Sequence, residues 1–385
     1  MNLSTPPPGG AAPAQPYDDL RVLDVTHRFG SYAGRLFADL GAEVLRLEPA
    51  GGLPDRTRDP ESDFTFLNAG KKSVVVDFAD LGKSSVLAAL VRGAAVVLLE
   101  RDAPLVDRID ALRALNSRLV VTVISPWGLD GPRAAEPASD LTLQAAGGIA
   151  WMSGRIDREP LALPFRQATM VASIYAATAT AIALRDAEAT GRGHLVDVSV
   201  QECIAHSLQN ALQVWDLEER VSMRGGEGTR DATEDIFPCR DGFVFLASPL
   251  SLGTSWKSLV GWMRELGHPS GEILSEAHWS DREWRLGSEA RIAFREAFVA
   301  FTRQFTRDEM TAGAIRRRVV LGPVNTIDDA FGDPQLRWRD FFTTIDTEGR
   351  EIAFPGAPYR LTPPVWRTAP APRLGAHAAL TEALP

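Results

Sequence analysis

The sequence is poor in the residues on which many functional sites depend. Its 385 residues include only two cysteines, Cys203 and Cys239, which are too few for a disulfide framework and do not have the spacing of a metal site. The six histidines are scattered, and none forms an i, i+4 pair or an H-E-x-x-H motif. We therefore expect two reduced thiols in a cytoplasmic protein and no metal site.

Positive charge is also in deficit. The chain has 41 Lys and Arg against 50 Asp and Glu, for a formal net charge of -9, whereas a general nucleic-acid surface would show a clustered basic excess. The most apolar segment, near residues 171–184, is shorter than the ~20 residues that a membrane span needs. The start, MNLSTPPPGGAAPAQP, lacks the basic and apolar regions of a signal peptide. We expect a soluble protein with a disordered leader over residues 1–17.

Standard catalytic motifs are absent as well. The first apolar run is not followed by G-x-G-x-x-G, and the chain has neither a G-x-x-x-x-G-K-[ST] loop nor a G-x-S-x-G elbow. Four carboxylates, Asp55, Asp59, Glu61 and Asp63, lie close together, but their spacing has no helical or strand geometry behind it. A solvated loop is the expected interpretation of this cluster.

Two lysines are the anion-binding candidates that the residues themselves suggest. Lys71 and Lys72 stand in a Gly-bearing turn just before a strand, where they could meet a phosphate at a sheet edge. Two solvated surface lysines are the alternative.

Short apolar runs alternate with helical segments over the first half of the chain. The runs are LRVLDVT, AEVLRLE, KSVVVDF, AAVVLLE and RLVVTVIS, separated by segments such as YAGRLFADLG and DLGKSSVLAALVRG. This alternation predicts a parallel sheet with right-handed crossovers. A nearly polar-free helix is expected from about Gln167 to Glu188, followed by a strand from Leu195 and one long amphipathic helix.

A change of composition divides the second half. SMRGGEGTRDATED is polar and Gly-bearing, which indicates a linker. After it, IFPCRDGFVFLASP predicts a β-hairpin that turns at Asp241-Gly242, and WKSLVGWMRELG and EARIAFREAFVAFTRQFT predict helices. A Pro-rich arm ends the chain.

Several stretches together resemble the family III CoA-transferases, the CaiB/BaiF group that includes formyl-CoA, carnitine and benzylsuccinate CoA-transferases. They are, in order, LRVLDVT, GSYAGRLFADLGAEVLRLEPAGG, FTFLNAGKKSVVVDFAD, IDALRALNSRLVVTVISPWGLDGP, SDLTLQAAGG, ATGRGHLVDVSVQE and GPVNTIDDAFGDPQLRWRDFF. The resemblance extends from about Leu20 to Gly375. It implies an α/β fold in which a Rossmann-like large domain is built from both ends of the sequence, with a small α+β domain, two linkers, and two chains that form interlocked rings.

On this plan the chain divides into five segments. They are a leader over 1–17, the first part of the large domain over 18–215, a linker over 216–235, the small domain over 236–320, and a return linker with the C-terminal arm over 321–385.

The resemblance also implies a chemistry. An aspartate attacks an acyl-CoA thioester, and the resulting mixed anhydride becomes an aspartyl-CoA thioester that passes CoA to a second carboxylic acid. Coenzyme A thioesters are thus the expected substrates, with no other cofactor. The family's aspartate lies six residues before an aromatic or histidine position near the start of the apolar helix. Here that aromatic is Tyr175, so Thr169 takes the aspartate's place.

Nothing nearby in the sequence replaces that carboxylate. A threonine hydroxyl is not ionised near neutral pH, and no base is evident in FRQATMV. From Pro160 to Leu184 there is no Asp or Glu, so a small shift of the alignment does not restore the nucleophile.

The expected CoA site is altered too. Family members carry an E-N-F-x-P-G-like turn after the fourth strand, but this chain reads LERDAP, which keeps Glu100 and adds the negative charge of Asp102. Binding of CoA is therefore expected to be weakened. The resemblance assigns five residues to CoA binding: His27, Arg46, Lys71, Lys72 and Glu100.

The substrate pocket is expected at Ser139, Asp140 and Arg166. In the racemase branch of the same fold, a histidine beside Asp140 and an aspartate form an acid/base pair. Their positions are occupied here by Ser139 and Thr169, so racemase activity is not expected.

These departures predict a chain that does not supply the nucleophile. The leading hypothesis is a non-nucleophilic subunit of a heteromeric CoA-transferase, which moves CoA from a donor such as succinyl-CoA to a carboxylic acid with the aspartate of a related partner chain. One alternative is a homodimer turned to another acyl-CoA reaction through Arg166, Asp140 or a Glu202/His206 pair, although an i, i+4 pair on a helix needs no function. Another is a non-catalytic acyl-CoA-binding homodimer.

Overall fold

The chain forms two compact units, each described here by itself. The computed structural model describes residues 14–57, 61–82, 84–155, 157–224, 230–347 and 349–382. The larger unit is drawn from Met1–Ala150, Ala162–Leu212 and Arg339–Pro385, and the smaller from Trp151–Leu161 and Gln213–Trp338.

A six-stranded parallel sheet is the centre of the larger unit. Its strands are β1 (Arg21–Asp24), β2 (Glu43–Glu48), β3 (Lys72–Val75), β4 (Val96–Glu100), β5 (Val120–Ser125) and β6 (Leu195–Ser199). They lie in the order β3-β2-β1-β4-β5-β6, and every neighbouring pair is parallel. β4 and β5 are buried along their whole length, as expected for strands covered on both faces. The predicted α/β sheet is thus confirmed.

Nine α-helices of the described residues begin in the first two segments of the larger unit. They are α1 (Ser31–Asp39), α2 (Glu61–Leu67), α3 (Val86–Arg92), α4 (Ile109–Leu115), α5 (Asp140–Ala146), α6 (Ile149–Met152), α7 (Gln167–Thr190), α8 (Val200–Ser207) and α9 (Gln209–Glu218). The last residues of two of them, α6 and α9, belong to the smaller unit.

The apolar helix α7 has the start that the sequence predicts and ends two residues later, at Thr190. Small buried side chains such as Ala172 and Ala176 let it approach the sheet and α1 closely, and Gly191 ends it with a φ of 73°. The prediction that this apolar segment is too short to span a membrane was wrong. By length and composition alone, the 24 residues of α7 are enough to cross one. One face of the helix nevertheless belongs to the core of the larger unit.

The smaller unit has an antiparallel sheet and an aromatic core. Its strands, in the order β7-β8-β9, are β7 (Asp235–Pro238), β8 (Phe243–Leu246) and β9 (Leu321–Val324). The predicted hairpin at Asp241-Gly242 is present between β7 and β8. The helices are α10 (Gly253–Glu265), α11 (Ser270–Ile273), α12 (Arg282–Leu286), α13 (Ser288–Thr302), α14 (Arg307–Arg317), α15 (Ile327–Gly332) and α16 (Pro334–Trp338).

The start of the return segment differs from its predicted place. β9 pairs with β8, and residues as far as Trp338 belong to the smaller unit. The larger unit resumes at Arg339 and contains the antiparallel hairpin β10 (Phe342–Thr347) and β11 (Arg350–Pro355), followed by the short helix α17 (Ala379–Glu382). The reason is that a short apolar run predicts a strand but does not indicate which sheet it joins.

The predicted leader and linker are partly packed. Residues 1–13 of the leader and 225–229 of the linker lie outside the described residues. Gln15, however, donates a hydrogen bond to the carbonyl of Val365 at 2.7 Å. The ring of Tyr17 lies 5.3 Å from that of Phe37. Within the linker, Asp231 is buried in the smaller unit.

Two local predictions were wrong. The single long helix expected after β6 is divided into α8 and α9, because Leu208 turns back to the carbonyl of Ala205 in a tight turn. The carboxylate-rich stretch is not a solvated loop: a 3₁₀ turn leads to α2, and Asp55 is 6 % exposed, while Asp59 lies outside the described residues.

Candidate active site at the carboxyl ends of the strands

The strand order of the larger unit reverses between β1 and β4, and a cavity opens at their carboxyl ends. Such a switch point is where open α/β sheets bind ligands. The cavity has a volume of about 430 Å³. Its lining comprises Arg28, Phe29, Glu100, Arg101, Asp102, Ile124, Pro126, Ala134, Ala135, Glu136, Pro137 and Ala138. A second cavity of about 550 Å³ follows the C-terminal arm, but none of the predicted site residues lines it.

Glu100, the last residue of β4, organises the loop that follows β1. Its Oε1 accepts hydrogen bonds from the backbone N–H groups of His27, Arg28, Phe29 and Gly30, at 3.1, 2.8, 2.7 and 2.9 Å. The side chain is buried, with 1 % exposure of the residue. A Cβ at Gly30 would lie 2.7 Å from the Cγ2 of Thr26, so a larger residue at this position would have to displace that side chain.

His27 lies between two carboxylates. Its Nδ1 is 3.7 Å from Glu100 Oε2, and its Nε2 is 3.4 Å from Asp102 Oδ2. Burial works against protonation, but the hydrogen bond with Asp102 and the charge of Glu100 raise the pKa of His27 above its ordinary value. The hydrogen bond with His27 lowers the pKa of Asp102 in turn.

His27, Glu100 and Asp102 also form the one group of potential metal donors found among the described residues, with ligand atoms within 4.8 Å of one another. A structural zinc site has four protein ligands and a catalytic one three, so the number of donors alone does not decide for or against an ion. Because Glu100 already binds four amides, the pairing of His27 with the two carboxylates accounts for this arrangement without an ion.

Thr169, in the first turn of α7, is bound by a carboxylate from another helix. Asp140 Oδ2 accepts hydrogen bonds from the backbone N–H of Thr169 at 2.8 Å and from its hydroxyl at 3.0 Å. Gln144 donates to the other oxygen, Oδ1, at 2.7 Å. The stretch FRQATMV contains no carboxylate, and this one comes from a segment 29 residues earlier in the chain.

The site around Thr169 and the loop held by Glu100 are continuous. The Thr169 hydroxyl lies 3.5 Å from the carbonyl oxygen of Arg28, and the Ser173 hydroxyl donates to the carbonyl of Phe29 at 2.7 Å. The first turns of α7 therefore pack on the same loop whose amides bind Glu100.

Ser139 and Arg166 flank this site with separate structural roles. Ser139 is the N-cap of α5, where its hydroxyl accepts from the backbone N–H of Thr142 and the Thr142 hydroxyl accepts from that of Ser139. Arg166, at the N-terminus of α7, forms an ion pair of 2.5 Å with Asp63 on α2.

Two predicted CoA ligands are enclosed instead of facing a ligand. Lys71 is buried with its Nζ 2.6 Å from Asp24, and it donates to the carbonyl of Ser31 at 2.7 Å. Burial lowers its pKa despite the neighbouring Asp24. Arg46 is fully buried and binds Glu48 and Asp55.

These placements speak against the anion-binding role predicted for Lys71 and the CoA-binding role predicted for Arg46, because the two charges are already paired inside the protein. Lys72 does reach the surface, where it pairs with Glu43 at 2.8 Å with 40 % of its side chain exposed.

Two arginines at the cavity were missed by sequence reasoning. Arg28 follows β1 and Arg101 follows β4, with 39 and 38 % of their side chains exposed. Their nearest carboxylates, Asp102 and Asp107, lie at 3.9 and 3.8 Å, so these are loose surface pairs. The signal that could have found them is their position in the loops that follow two strands meeting at the switch point.

Glu202 and His206 on α8, which the sequence suggested as an alternative functional pair, contact different residues. His206 accepts or donates a hydrogen bond with the Tyr175 hydroxyl at 2.6 Å through Nδ1, and the two rings meet edge to face with centroids 5.4 Å apart. Glu202 has its backbone N–H bound by the capping hydroxyl of Ser199. The partner of His206 is thus the aromatic residue six positions after Thr169.

Known proteins similar to this chain agree on one family. The model of CoA-transferase family III matches residues 17–378. The succinyl-CoA:(R)-benzylsuccinate CoA-transferase subunit BbsE of Thauera aromatica is 34% identical over 94% of this chain and 92% of its own length. The succinyl-CoA–L-malate CoA-transferase alpha subunit of Chloroflexus aurantiacus is 28% identical over 92% of this chain and 85% of its own.

A solved structure agrees with this assignment. The crystal structure of a CAIB/BAIF family protein from Brucella suis has a TM-score of 0.84 and 26% sequence identity, and the similarity covers 96% of this chain and 99% of that one. The chain therefore belongs to CoA-transferase family III, a family of enzymes whose substrates are CoA thioesters.

Proposed function

We propose that this chain is the non-nucleophilic subunit of a heteromeric, cytoplasmic CoA-transferase that moves CoA between a donor such as succinyl-CoA and a carboxylic acid. The observation that carries the proposal is the first turn of α7. Thr169 occupies the position expected for the aspartate, is 1 % exposed, and its hydroxyl is bound to Asp140. The nucleophile comes from a related partner chain.

The chemistry of the threonine supports this assignment. Acyl transfer to CoA requires a leaving group of matched reactivity, which an aspartyl anhydride supplies and a threonine ester does not. The carboxylate of Asp140 is a weak base for an alcohol, and it also binds the amide of Thr169. The Thr169 hydroxyl is therefore held as a structural donor and is not activated as a nucleophile.

Two relatives support a heteromer. One is named as a subunit of a succinyl-CoA:(R)-benzylsuccinate CoA-transferase and another as the alpha subunit of a succinyl-CoA–L-malate CoA-transferase. In the interlocked-ring arrangement that we propose for the complex, a chain without the aspartate still contributes walls to the partner's site.

A second candidate function follows from Asp140. Its carboxylate lies 2.8 Å from the first-turn amide of α7, which is close to where the family's aspartate would lie. A homodimer that uses Asp140 as its acyl-accepting carboxylate is therefore the alternative, and the acceptor acid would be set by the residues around Arg166.

Co-expression with a family member from the same genome that carries aspartate at the position of Thr169 tests the proposal. We expect the two chains to co-purify and to transfer CoA from succinyl-CoA to one of a panel of dicarboxylic acids, while the single chain shows no turnover. Turnover by the purified single chain, abolished by Asp140→Asn, would instead establish the second candidate.

A gain-of-function variant tests what the site lacks. Thr169→Asp in the single chain should form a covalent adduct with succinyl-CoA that hydroxylamine removes, detected by intact-protein mass spectrometry. Thr169→Asn is the matched control, because it has the same size and no nucleophilic carboxylate. Failure of Thr169→Asp to react, in a folded protein that still binds CoA, would show that more than the nucleophile is missing.

A further inference from the structure

The loop between β1 and α1 presents a complete set of anion-binding donors. Four successive backbone N–H groups, those of residues 27–30, converge on one oxygen of Glu100 at 2.7 to 3.1 Å. The nine-residue helix α1 begins at the next residue, Ser31, so the positive end of its dipole faces the same oxygen. Consecutive amides at a helix N-terminus form an anion site.

In doubly wound sheets with this strand order, the loop after the first strand binds the phosphate of a ligand. In this protein the amides of that loop bind a protein oxygen instead. It belongs to Glu100, which is buried at the end of the neighbouring strand β4. We propose that Glu100 is a built-in anion, which occupies the amide site in place of a ligand phosphate and so positions residues 27–30.

This role extends to the site around Thr169. The carbonyls of Arg28 and Phe29, on the loop whose amides bind Glu100, face the hydroxyls of Thr169 and Ser173 at 3.5 and 2.7 Å. Glu100 therefore acts through the loop as a positioning residue. A phosphate-bearing ligand in the cavity has to be bound outside this amide site, which agrees with the absence of G-x-G-x-x-G after β1.

Anion rescue tests the inference without any assay of activity. In Glu100→Ala the four amides lose their acceptor, and we expect the Tm to fall by roughly 4 °C or more. Formate should then bind in the vacated place, raise the Tm of the variant in a saturable way, and slow hydrogen–deuterium exchange in a peptide spanning residues 25–31. Formamide, equal in size and uncharged, is the matched control, and the wild-type protein controls for general effects of salt.

A second variant keeps the test informative if Glu100→Ala does not fold. Glu100→Gln retains a carbonyl oxygen without the charge, so we expect a folded protein whose amides at residues 27–30 exchange faster than those of the wild type. Equal exchange in Glu100→Gln and wild type would overturn the proposal. So would a formate effect on Glu100→Ala no larger than that on the wild type. Both outcomes are independent of whether the chain is a subunit of a heteromer.

Discussion

Among the described residues, the two units differ in how many charged side chains they bury. The larger one encloses charged residues near its sheet, among them Asp24 with Lys71 and Arg46 with Glu48. The smaller one also encloses an ion pair, that of Arg285 with Asp231, but its core is rich in aromatic rings, and Phe294 alone lies within 6.1 Å of four others.

The difference reflects what each core does. Burying a charge is costly unless it is paired, and burial raises the pKa of Asp39 to about 6 even beside Arg35. Aromatic packing stabilises without that cost. The larger unit therefore retains several buried charges, among them Glu100 at the carboxyl end of β4, while the smaller unit relies more on aromatic packing.

The largest effect is expected in the aromatic core. Phe294→Ala should reduce the free energy of unfolding by about 3–5 kcal/mol, because it removes a fully buried ring and leaves a cavity. Urea unfolding followed by tryptophan fluorescence measures the change. Ile292→Ala on the same helix is the control, since Ile292 is 61 % exposed. Similar losses in both variants would contradict a core centred on Phe294.

The adjacent lysines separate buried from surface charge in the larger unit. Lys71→Met should reduce the free energy of unfolding by about 3 kcal/mol, because it leaves Asp24 buried with only the Thr26 donors. Lys72→Met breaks an exposed pair and should cost less than about 1 kcal/mol. Chemical unfolding followed by circular dichroism distinguishes them. Equal losses would mean that Lys71 faces solvent.

Helix caps should contribute equally to the stability of the two units, because a capping hydrogen bond involves only the residues at the helix end. Ser139→Ala removes the cap of α5 and Thr306→Ala that of α14, and each is expected to cost about 1 kcal/mol. Ser139→Asp should retain the stability, since aspartate also caps. A loss at Ser139 well above that at Thr306, measured by thermal unfolding, would indicate that Ser139 has a role beyond the cap.

The smallest effect is a dependence on pH at two histidines with opposite signs. His27 has a raised pKa, so its stabilisation is complete below pH 6.5 and is lost as the pH rises through the folded-state pKa. Burial lowers the pKa of His377, whose contribution is present above pH 6.5 and is lost as the pH falls through its folded-state pKa.

Thermal unfolding at constant ionic strength measures both histidines. His27→Gln should remove the loss of stability above pH 6.5, and His377→Gln the loss below it. The carboxylates that act on His27 are Asp102, Glu100 and Asp55, and Arg28 pairs with Asp102. An unchanged pH profile in His27→Gln would mean that these groups do not keep His27 protonated in the folded protein.

Local sequence signals predicted most of the fold. The apolar runs correspond to β1 to β5, and the absence of polar residues marked α7 from its first residue. The division between α8 and α9 was not predictable, because a tight turn at Leu208 interrupts an amphipathic pattern that continues across it. The pairing of β9 with the smaller sheet was missed for another reason: strand propensity does not specify a partner.

The candidate site was predicted in part. The position of Thr169 at the start of α7 followed from spacing along the chain, and so did the proximity of Glu100 to the end of a strand. The contact of Asp140 with Thr169 joins residues 29 positions apart, and that of Glu100 with residues 27–30 spans at least 70. A pattern of neighbouring residues does not indicate contacts between residues so far apart in the chain.

By itself, the sequence determined the order of most strands and helices, because these depend on periodicity and on neighbouring residues, and it carried the family resemblance, which predicts the nucleophile position at Thr169. Only the tertiary structure decided that Lys71 is enclosed while Lys72 is exposed, that Asp140 binds Thr169, and that Glu100 fills the amide site after β1. The physical reason is that burial and pairing are set by which strand ends meet, and in this sheet the order β3-β2-β1-β4-β5-β6 brings β1 and β4 together.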